Sequence, residues 1–284
     1  MNLTIEKGKT LLVDGPASVT VISGVVEVFG SIIVSTNKVV IREGKRLPFA
    51  VEETATFDIS LGENANVEDV DGNTILTSWV ESFDELLTFP KKPVTVVVLG
   101  TVDSGKTSFC TYLTNKLLRE RKKVAILDGD LGQSDIGPPC TVAYTFVTSP
   151  VTDLFNLEAK NAFFVGVTSP SVTINKVIDG LASLKKEILG DDPDFVVINT
   201  DGWVEGEEAV NYKIQLVKEL SPDIIFCMQQ KDEMAPLINA LETFRKVVVV
   251  DSPSAIRQRS REKRRNLREL GYICLLYTSD AADE

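Results

Sequence analysis

The segment from Gly100 to Thr107 reads Gly-Thr-Val-Asp-Ser-Gly-Lys-Thr, and the apolar run 94–99 leads directly into it. Apolar residues then recur at helical spacing from Phe109 to Leu118, so the segment lies between a predicted strand and a predicted helix. In that context the G-x-x-x-x-G-K-[ST] pattern predicts a phosphate-binding loop, because its glycines let backbone N–H groups turn toward phosphate oxygens at a helix N-terminus. We therefore expect the chain to bind a nucleoside triphosphate.

The residues of this loop have expected roles in that binding. The Lys106 ammonium is expected to reach the β- and γ-phosphates, and the Thr107 hydroxyl is expected to hold Mg²⁺. The rest of the predicted nucleotide site consists of Gly100, Thr101, Val102, Asp103, Ser104, Gly105 and Ser108. The alternative, a glycine turn with a solvated lysine, does not account for the strand and the helix on either side of the loop.

The composition excludes several other kinds of chemistry. The sequence contains no histidine, which rules out Ser-His-Asp and Cys-His catalysis and histidine-bound metals. The cysteines form no C-x-x-C pair, so neither a disulfide framework nor a zinc site is indicated. Phosphoryl transfer is unaffected, because it depends mainly on positioning, Mg²⁺, lysine and arginine, with a carboxylate as the base.

No part of the sequence has the pattern of a membrane span or a signal peptide. Its apolar runs are all far shorter than the roughly 18 residues that suggest a span. The first residues lack a basic region followed by an apolar one. These features predict a cytoplasmic protein without a membrane partner.

The chain divides into two predicted domains with different patterns. Residues 1–75 contain short β-branched runs punctuated by glycines, which predict a small all-β domain without a catalytic constellation. Residues 76–93 are predicted to be a linker, and from residue 94 near-continuous apolar strands alternate with helical segments. Such strands are typical of a parallel sheet covered on both faces. The predicted fold class is therefore α/β, a P-loop NTPase with a parallel sheet flanked by helices, preceded by a small all-β N-terminal domain.

Two acidic residues follow the second strand of the predicted sheet, in the segment Leu127-Asp-Gly-Asp-Leu-Gly-Gln133. The carboxyl ends of parallel strands are where ligands bind in such sheets, so we expect these carboxylates beside the phosphate loop. Asp128 and Asp130 are two residues apart and point the same way, although only one of them need face the metal. A pair of solvated loop acids is the alternative. A P-loop fold alone does not choose between ATPase, GTPase and kinase.

A wider set of motifs makes that choice. In chain order they are the phosphate loop, Asp128-Gly-Asp-Leu-Gly-Gln133, Gly137-Pro-Pro-Cys-Thr141, Phe164-Val-Gly-Val-Thr-Ser-Pro170, Asn199-Thr-Asp-Gly-Trp-Val204 and Arg259-Ser-Arg-Glu-Lys-Arg-Arg265. The series resembles the polynucleotide 5′-hydroxyl kinase family over about residues 1–272, nearest its archaeal RNA kinase branch. That family includes the kinase subunit of the eukaryotic mRNA cleavage factor and ribosomal-RNA-processing kinases. The resemblance implies transfer of the γ-phosphate of ATP, with Mg²⁺, to the 5′-hydroxyl of single-stranded RNA, with DNA as an alternative acceptor.

The resemblance also implies catalytic roles at matching positions. Asp130 corresponds to the carboxylate that accepts the proton of the 5′-hydroxyl, and with no histidine available a carboxylate is the natural base. Asp128 is then expected to act on Mg²⁺ through metal-bound water, beside Thr107. Arg264 and Arg268 match the lid arginines that close over the transferring phosphoryl group, and their spacing places them on one helical face. A surface position is the alternative for Arg268.

On the acceptor side, the resemblance implies contacts with the first nucleotides of the substrate. Gln133 and the loop 137–141, including Pro139 and Thr141, correspond to a clasp that grips them. Trp203 corresponds to an aromatic residue on which a terminal base stacks, and core packing is the alternative for this side chain. Cys140 stands where the family usually has a glycine, and its side chain is expected to crowd the substrate.

The distribution of charge limits how a nucleic acid could be held. The segment 257–268 has seven basic residues and one acidic residue. The whole chain has 30 basic and 41 acidic residues, so the rest of it has 23 basic and 40 acidic residues, a net charge of −17. A nucleic-acid partner would therefore be bound locally rather than by a broad basic face. A solvated helix surface is the alternative for this segment.

Two other functions compete with the kinase. A GTPase normally reads guanine with N-K-x-D, whereas Gln229-Gln-Lys-Asp232 has the wrong order and spacing. A non-catalytic ATP-binding protein of an RNA-processing complex is the second alternative, and the presence of Asp130, Trp203 and the arginine pair favours an active kinase. The kinase domain is assigned to 94–272. Because the family pattern continues beyond Tyr272, residues 273–284 are expected to be a non-native tail on a truncated chain.

Overall fold

A computed structural model describes residues 1–256 and 259–280, with side chains as far as Ile273. Arg257 of the basic segment and residues 281–284 of the predicted tail lie outside the described residues. Within the described ranges no helix has the length and apolar character needed to cross a membrane.

The N-terminal region is an antiparallel sheet, as its β-branched runs predict. Its longest strand, β6, pairs with three others. The strand order is β4-β3-β6-β2-β7, with β1 on β6 and β5 on β3. Register shifts between Val21 and Val26 interrupt the pairing of β3 with β6, and such bulges bend a sheet. The strands are β1 (Asn2–Ile5), β2 (Lys9–Asp14), β3 (Ala17–Val28), β4 (Ser31–Ile33), β5 (Lys38–Ile41), β6 (Arg46–Leu61) and β7 (Val67–Asp71).

The second sheet carries the phosphate loop and is covered by helices on both faces. Its strands are β8 (Val94–Gly100), β9 (Val124–Gly129), β10 (Thr141–Val147), β11 (Asn161–Phe164), β12 (Phe195–Thr200), β13 (Ile224–Gln229) and β14 (Lys246–Asp251). The strand order is β11-β10-β9-β12-β8-β13-β14, and the five strands from β9 to β14 in this order are parallel. The helices that follow helix α1 (Thr77–Leu87) are α2 (Lys106–Arg119), α3 (Ile174–Gly190), α4 (Glu207–Leu220), α5 (Ala235–Glu242) and α6 (Arg261–Asp280).

The predicted fold class is confirmed, with one addition at the edge of the sheet. Strand β10 runs antiparallel to β9, and β11 runs antiparallel to β10. We had assigned Thr141 to the acceptor loop and predicted no strand after it, because Thr-Val-Ala-Tyr-Thr-Phe-Val lacks the continuous apolar run of a central parallel strand. An antiparallel edge on a parallel sheet is a common arrangement.

The segment 76–93, which we predicted to be a linker, contains α1, and this helix joins the two sheets. Trp79 of α1 is almost fully buried. Its ring lies 6.5 Å from that of Phe29 in the N-terminal region and 5.1 Å from that of Phe109 in α2. Its Nε1 donates to the Asp251 carbonyl oxygen at 3.0 Å. One indole thus packs against both domains, and large aromatic side chains dominate the energetics of such contacts.

Sheet register brings the polar strand ends together. Asn199 of β12 pairs with Asp128 of β9 on one side and with Val98 of β8 on the other. The loops that follow β8, β9 and β12 therefore leave the same edge of the sheet side by side. This edge holds the candidate site.

Candidate active site

The phosphate loop connects β8 to α2, and its glycines are required by close packing. A Cβ at Gly100 would lie 2.8 Å from the Met228 carbonyl oxygen, and a Cβ at Gly105 would lie 2.5 Å from Ile256 Cδ1. Gly105 also has φ +97°, a left-handed conformation that favours glycine. The tight turn points the N-terminus of α2 into the site, where its N–H groups are placed for phosphate.

A cavity of about 290 Å³ opens over this loop. Its wall brings together predicted residues from four separate parts of the chain: Val102, Asp103, Gly105, Lys106, Thr107, Ser108, Asp130, Gln133, Trp203, Arg264 and Arg268. The predicted residues that do not line it are Gly100, Thr101, Ser104, Asp128, Pro139 and Thr141. The residues predicted for the nucleotide, the base, the stacking contact and the lid therefore share one cavity.

Lys106 lies at the floor of this cavity. Its Nζ donates to the Thr101 carbonyl oxygen at 2.7 Å, and only 6% of the residue is exposed. Burial lowers the pKa of the Lys106 ammonium, while the charge of Asp130 acts in the opposite direction. The lysine is therefore held within the loop at the position where a triphosphate would need a positive charge.

Asp130 presents a carboxyl group to the cavity on a fixed loop. Its Oδ1 accepts hydrogen bonds from the backbone N–H groups of Gly132 and Gln133, both at 3.0 Å. Among the described residues, nothing donates to its Oδ2. Burial raises the pKa of Asp130 above the ordinary carboxyl range, and Lys106 opposes this shift. A raised pKa brings a carboxylate closer to the proton affinity that a general base needs.

Asp128 has a different environment although it is only two residues away. It is fully buried, and both of its oxygens are used. Oδ1 accepts from the Asp130 N–H at 3.2 Å and from Asn199 Nδ2 at 3.0 Å. Oδ2 accepts from the Asp135 N–H at 2.8 Å and from the Ile136 N–H at 3.4 Å. Burial raises the pKa of Asp128 to about 7, even though the N–H groups of Asp135 and Asp130 act to lower it.

These contacts change what we expect of Asp128. The carboxylate holds the loop that carries Asp130 and Gln133, and it reaches the phosphate loop through Asn199, whose Nδ2 also lies 3.4 Å from Thr107 Oγ1. In the sequence Asn199 is part of a motif, but nothing there assigns it a role. The action of Asp128 on Mg²⁺ stays a prediction, and the structure favours an indirect route.

The side chains at this edge of the sheet suit a Mg²⁺ ion that binds together with a triphosphate. The Thr107 side chain lines the cavity. Within residues 1–256 and 259–280, no group of three or more cysteine, aspartate and glutamate side chains is arranged to hold a metal by itself. Mg²⁺ usually takes one or two protein groups together with phosphate oxygens and waters. Thr107 fits that pattern as the direct ligand.

Gln133 and Trp203, which are predicted to contact the acceptor, both line the cavity. Gln133 Nε2 is buried and has no hydrogen-bond partner among the described residues, and an unpaired buried donor costs about 1–3 kcal/mol. Trp203 is half-buried, and its ring is stacked on that of Tyr212 at 5.6 Å and 24°. Its indole therefore packs against the core and also lines the cavity. An unpaired donor and a half-exposed aromatic ring that line the same cavity are an arrangement that a nucleotide base could complete.

Asp201 fixes Trp203 through a buried network that the sequence did not reveal. Asp201 Oδ1 accepts from the Trp203 N–H at 3.0 Å. Its Oδ2 accepts from Tyr212 Oη and from the fully buried Lys213 Nζ, both at 2.8 Å. Lys213 lies on the apolar side of α4, where helical periodicity predicts no charge, so its pairing with Asp201 had no sequence signal.

Pro139 and Thr141 do not line the cavity. Thr141 Oγ1 donates to the Pro138 carbonyl oxygen at 2.7 Å, and Pro139 Cγ lies 3.2 Å from the position of a Cβ on Gly271. Cys140 between them has φ +65°, which accounts for a glycine preference at this position, and its Sγ lies 2.8 Å from Tyr272 Oη. A direct grip of Pro139 and Thr141 on the acceptor stays a prediction.

The two lid arginines reach the cavity from α6. Arg264 Nη1 donates to Asp103 Oδ2 at 3.1 Å, and Arg268 Nη1 donates to the Gly132 carbonyl oxygen at 3.4 Å. One arginine is thus bound to the phosphate loop and the other to the loop that carries Asp130.

The N-terminal region contributes to the site, although we predicted no catalytic constellation there. Lys45 and Arg46 line the cavity. Lys45 Nζ and Arg42 Nη2 also donate to the buried Asp135, at 2.9 and 2.6 Å. Although burial acts to raise it, Lys45 and Arg42 hold the pKa of Asp135 at about 2. This domain is therefore bound to the loop that carries Gln133, through a contact between distant segments that has no signal in the sequence.

Comparison with known proteins agrees with these observations. The family model described as mRNA cleavage and polyadenylation factor CLP1 P-loop matches residues 100–277. The polyribonucleotide 5′-hydroxyl-kinase of Pyrococcus abyssi is 33% identical over 63% of this chain and 49% of its own length, and that of Thermococcus kodakarensis is 37% identical over 62% and 50%. The chain thus spans about half the length of the curated relatives that it matches.

The fold is also found in a solved structure. The Clp1p chain described as "wild-type Clp1p-Pcf11p complex" aligns with a TM-score of 0.77 over 96% of this chain and 71% of that chain, at 15% identity. At this identity the likeness shows the fold alone. The resemblance drawn from the sequence motifs is confirmed by the family match. The chain belongs to the mRNA cleavage and polyadenylation factor CLP1 P-loop family.

Proposed function

We propose that this protein transfers the γ-phosphate of ATP to the 5′-hydroxyl end of RNA. The observation that carries the proposal is the single cavity whose wall joins Lys106 and Thr107 of the phosphate loop to Asp130, Trp203 and Arg264. A protein that only binds nucleotide needs the first two residues but has no use for a half-buried carboxylate and a half-buried indole in the same cavity. The names of the archaeal relatives, polyribonucleotide 5′-hydroxyl-kinases, support the same activity.

In this reaction the 5′-hydroxyl oxygen attacks the γ-phosphorus, and the bond from that phosphorus to the β–γ bridging oxygen breaks. Asp130 takes the hydroxyl proton, because its carboxyl group lines the cavity and its loop is fixed by two backbone N–H groups. ADP leaves with the electron pair of the broken bond. The phosphorylated 5′ end is the second product.

Positive charge around the phosphates is the other requirement of the reaction. Lys106 of the phosphate loop and Arg264 and Arg268 of α6 all line the cavity and supply that charge. Mg²⁺, bound to Thr107 and the phosphates, would neutralise further charge on the triphosphate. Exclusion of water by the bound substrates would strengthen each of these interactions.

RNA fits the acceptor side because it offers an unpaired terminal base. Stacking on the Trp203 ring contributes about 1–3 kcal/mol per base and tolerates different sequences. The unpaired Gln133 Nε2 can donate to a nucleotide acceptor atom. Stacking does not distinguish RNA from DNA, so the assay must determine which of the two acceptors is preferred. Action within an RNA-processing complex and a cytoplasmic location stay predictions.

The proposal is tested by incubating the protein with ATP, Mg²⁺ and labelled 20-mers that differ only in their 5′ end. A 5′-hydroxyl RNA should gain one phosphate, and a 5′-phosphate RNA of the same sequence should not react. Replacing ATP by GTP should lower the rate, and Lys106→Ala should abolish transfer. Nucleotide binding without transfer to the 5′-hydroxyl RNA or its DNA counterpart would contradict the proposal and favour a non-catalytic assembly role.

A further inference from the structure

A carboxylate lies inside the phosphate loop, at the fourth residue of the motif. Asp103 is surrounded by the loop that should receive a triphosphate, where a negative charge opposes binding unless it is paired. Its side chain is 4% exposed, and the groups that neutralise it all come from the region of the lid. We propose that Asp103 is a positioning residue that fixes the lid arginine Arg264, with Arg259 as the connecting group, so that the phosphate loop itself sets the lid.

Asp103 binds the lid through four hydrogen bonds. Its Oδ1 accepts from Arg259 Nε at 2.9 Å and from Arg259 Nη2 at 2.6 Å. Its Oδ2 accepts from the Arg259 backbone N–H at 2.9 Å and from Arg264 Nη1 at 3.1 Å. Charge-assisted bonds with two donors from one guanidinium are among the strongest and most directional in proteins. Both oxygens are therefore committed to the lid rather than to a nucleotide.

The backbone at Asp103 keeps this carboxylate in place. Asp103 has φ +56°, a left-handed conformation that aspartate and asparagine adopt more readily than most residues. The preceding Val102 packs against Gly202, where a Cβ would lie 2.6–2.8 Å from Val102 atoms. The carboxylate is thus directed by a fixed turn and not by a mobile side chain alone.

Among the described residues, the Arg264 guanidinium is hydrogen-bonded through Nη1. Its Nη1 donates to Asp103 and also to the Arg259 carbonyl oxygen at 2.7 Å, while its side chain lines the cavity. Arg268 does not share these partners, because it donates to the Gly132 carbonyl oxygen instead. Loss of the Asp103 charge should therefore displace Arg264 and leave Arg268 in place.

A second ion pair ties the lid to the body and serves as a matched control. Lys263 Nζ pairs with Glu43 at the surface, where both side chains are more than one-third exposed. Exposed pairs of this kind contribute about 0–1 kcal/mol. Glu43→Gln removes this tie without touching the cavity wall.

The inference rests on the proposed kinase reaction, and a double-mutant cycle tests it. Asp103→Asn keeps the backbone preference and removes the charge. It should lower kcat about 10- to 100-fold, the scale of a displaced catalytic group, with a smaller change in the KM for RNA. In an Arg264→Ala background the same substitution should change kcat less than about threefold. In an Arg268→Ala background it should keep its full effect, and Glu43→Gln alone should leave kcat near the wild-type value.

A second measurement does not depend on kinase activity. Without nucleotide, trypsin should cleave the segment 259–268 several times faster in Asp103→Asn than in the wild type or in Glu43→Gln, while the melting temperature stays within a few degrees. Equal effects of Asp103→Asn in all three backgrounds, or unchanged cleavage, would overturn the role of Asp103. A wild-type protein that transfers no phosphate would refute the proposed function, and the cleavage comparison would still decide the lid contact.

Discussion

Asp130→Asn should mainly lower kcat and Asp128→Asn should mainly lower stability, although the two residues lie in one loop. At Asp130 the amide oxygen can still accept the N–H groups of Gly132 and Gln133, and the amide nitrogen replaces Oδ2, which accepts nothing from the described residues. Stability should change by less than about 1 kcal/mol. Since the amide cannot take the 5′-hydroxyl proton, kcat should fall by about 10²–10⁴.

At Asp128 the same change removes an acceptor from a buried network. The carboxylate accepts four N–H groups, two on each oxygen, and an amide nitrogen in place of either oxygen leaves two of them unpaired. At about 1–3 kcal/mol for each unpaired donor, the loss is about 2–6 kcal/mol. At roughly 2–4 °C per kcal/mol, Asp128→Asn should melt about 4–24 °C below the wild type.

The assay compares both variants by thermal unfolding and by kcat at saturating ATP, Mg²⁺ and RNA. Rates are measured at least 15 °C below the lower melting temperature, so that both proteins are folded. Asp130→Asn should be the more damaging to kcat and Asp128→Asn the more damaging to stability. A larger loss of kcat in a folded Asp128→Asn protein would refute the assignment of Asp130 as the base.

Three further predictions follow from contacts around the cavity. Trp203→Ala should raise the KM for RNA about 5- to 150-fold, because about 1–3 kcal/mol of stacking is lost. The KM for ATP should stay within about twofold of the wild-type value, and equal changes in both KM values would favour a purely structural role. The pKa of Asp135 is held at about 2, against an ordinary 3.8. Its contacts should therefore contribute about 2 kcal/mol of stability, which is present above pH 4 and lost as the pH falls toward 2. The free energy of unfolding of Asp135→Asn should depend less on acid pH than that of the wild type, and an unchanged pH profile would contradict this. In chemical unfolding, Cys140→Val should have a free energy of unfolding about 1–2 kcal/mol lower than Cys140→Gly, because a β-branched side chain at φ +65° is strained. Equal stability of the two variants would argue against that backbone strain.

Local patterns predicted most of the second domain. The phosphate loop and its flanking strand and helix depend on residues within about 25 positions of one another, and glycine spacing, apolar runs and helical periodicity all report on such short segments. The resemblance to a known family gave the candidate acceptor and lid residues, and ten of the predicted site residues besides Lys106 line one cavity with it. Strand β10 was missed because an antiparallel edge strand lacks the continuous apolar run of the central strands.

Contacts between distant segments could not be predicted. Asp103 and Arg259 are 156 residues apart, and Arg42 and Asp135 are 93 residues apart, so neither pair leaves a mark on local spacing. The different roles of Asp128 and Asp130 also depend on burial and hydrogen-bond partners, which only the folded chain defines. For the same reason the all-β region gave no sign that Lys45 and Arg46 line the cavity.

The most direct test of the kinase proposal is a single-turnover reaction with protein in excess over a 5′-hydroxyl RNA, run in parallel with α-labelled and γ-labelled ATP. Label should reach the RNA only from the γ position, in a 1:1 ratio to ADP formed, and nuclease digestion should recover it solely on the 5′-terminal nucleotide. Label from the α position, label at an internal or 3′ site, or ADP formation without labelled RNA would contradict transfer to the 5′-hydroxyl.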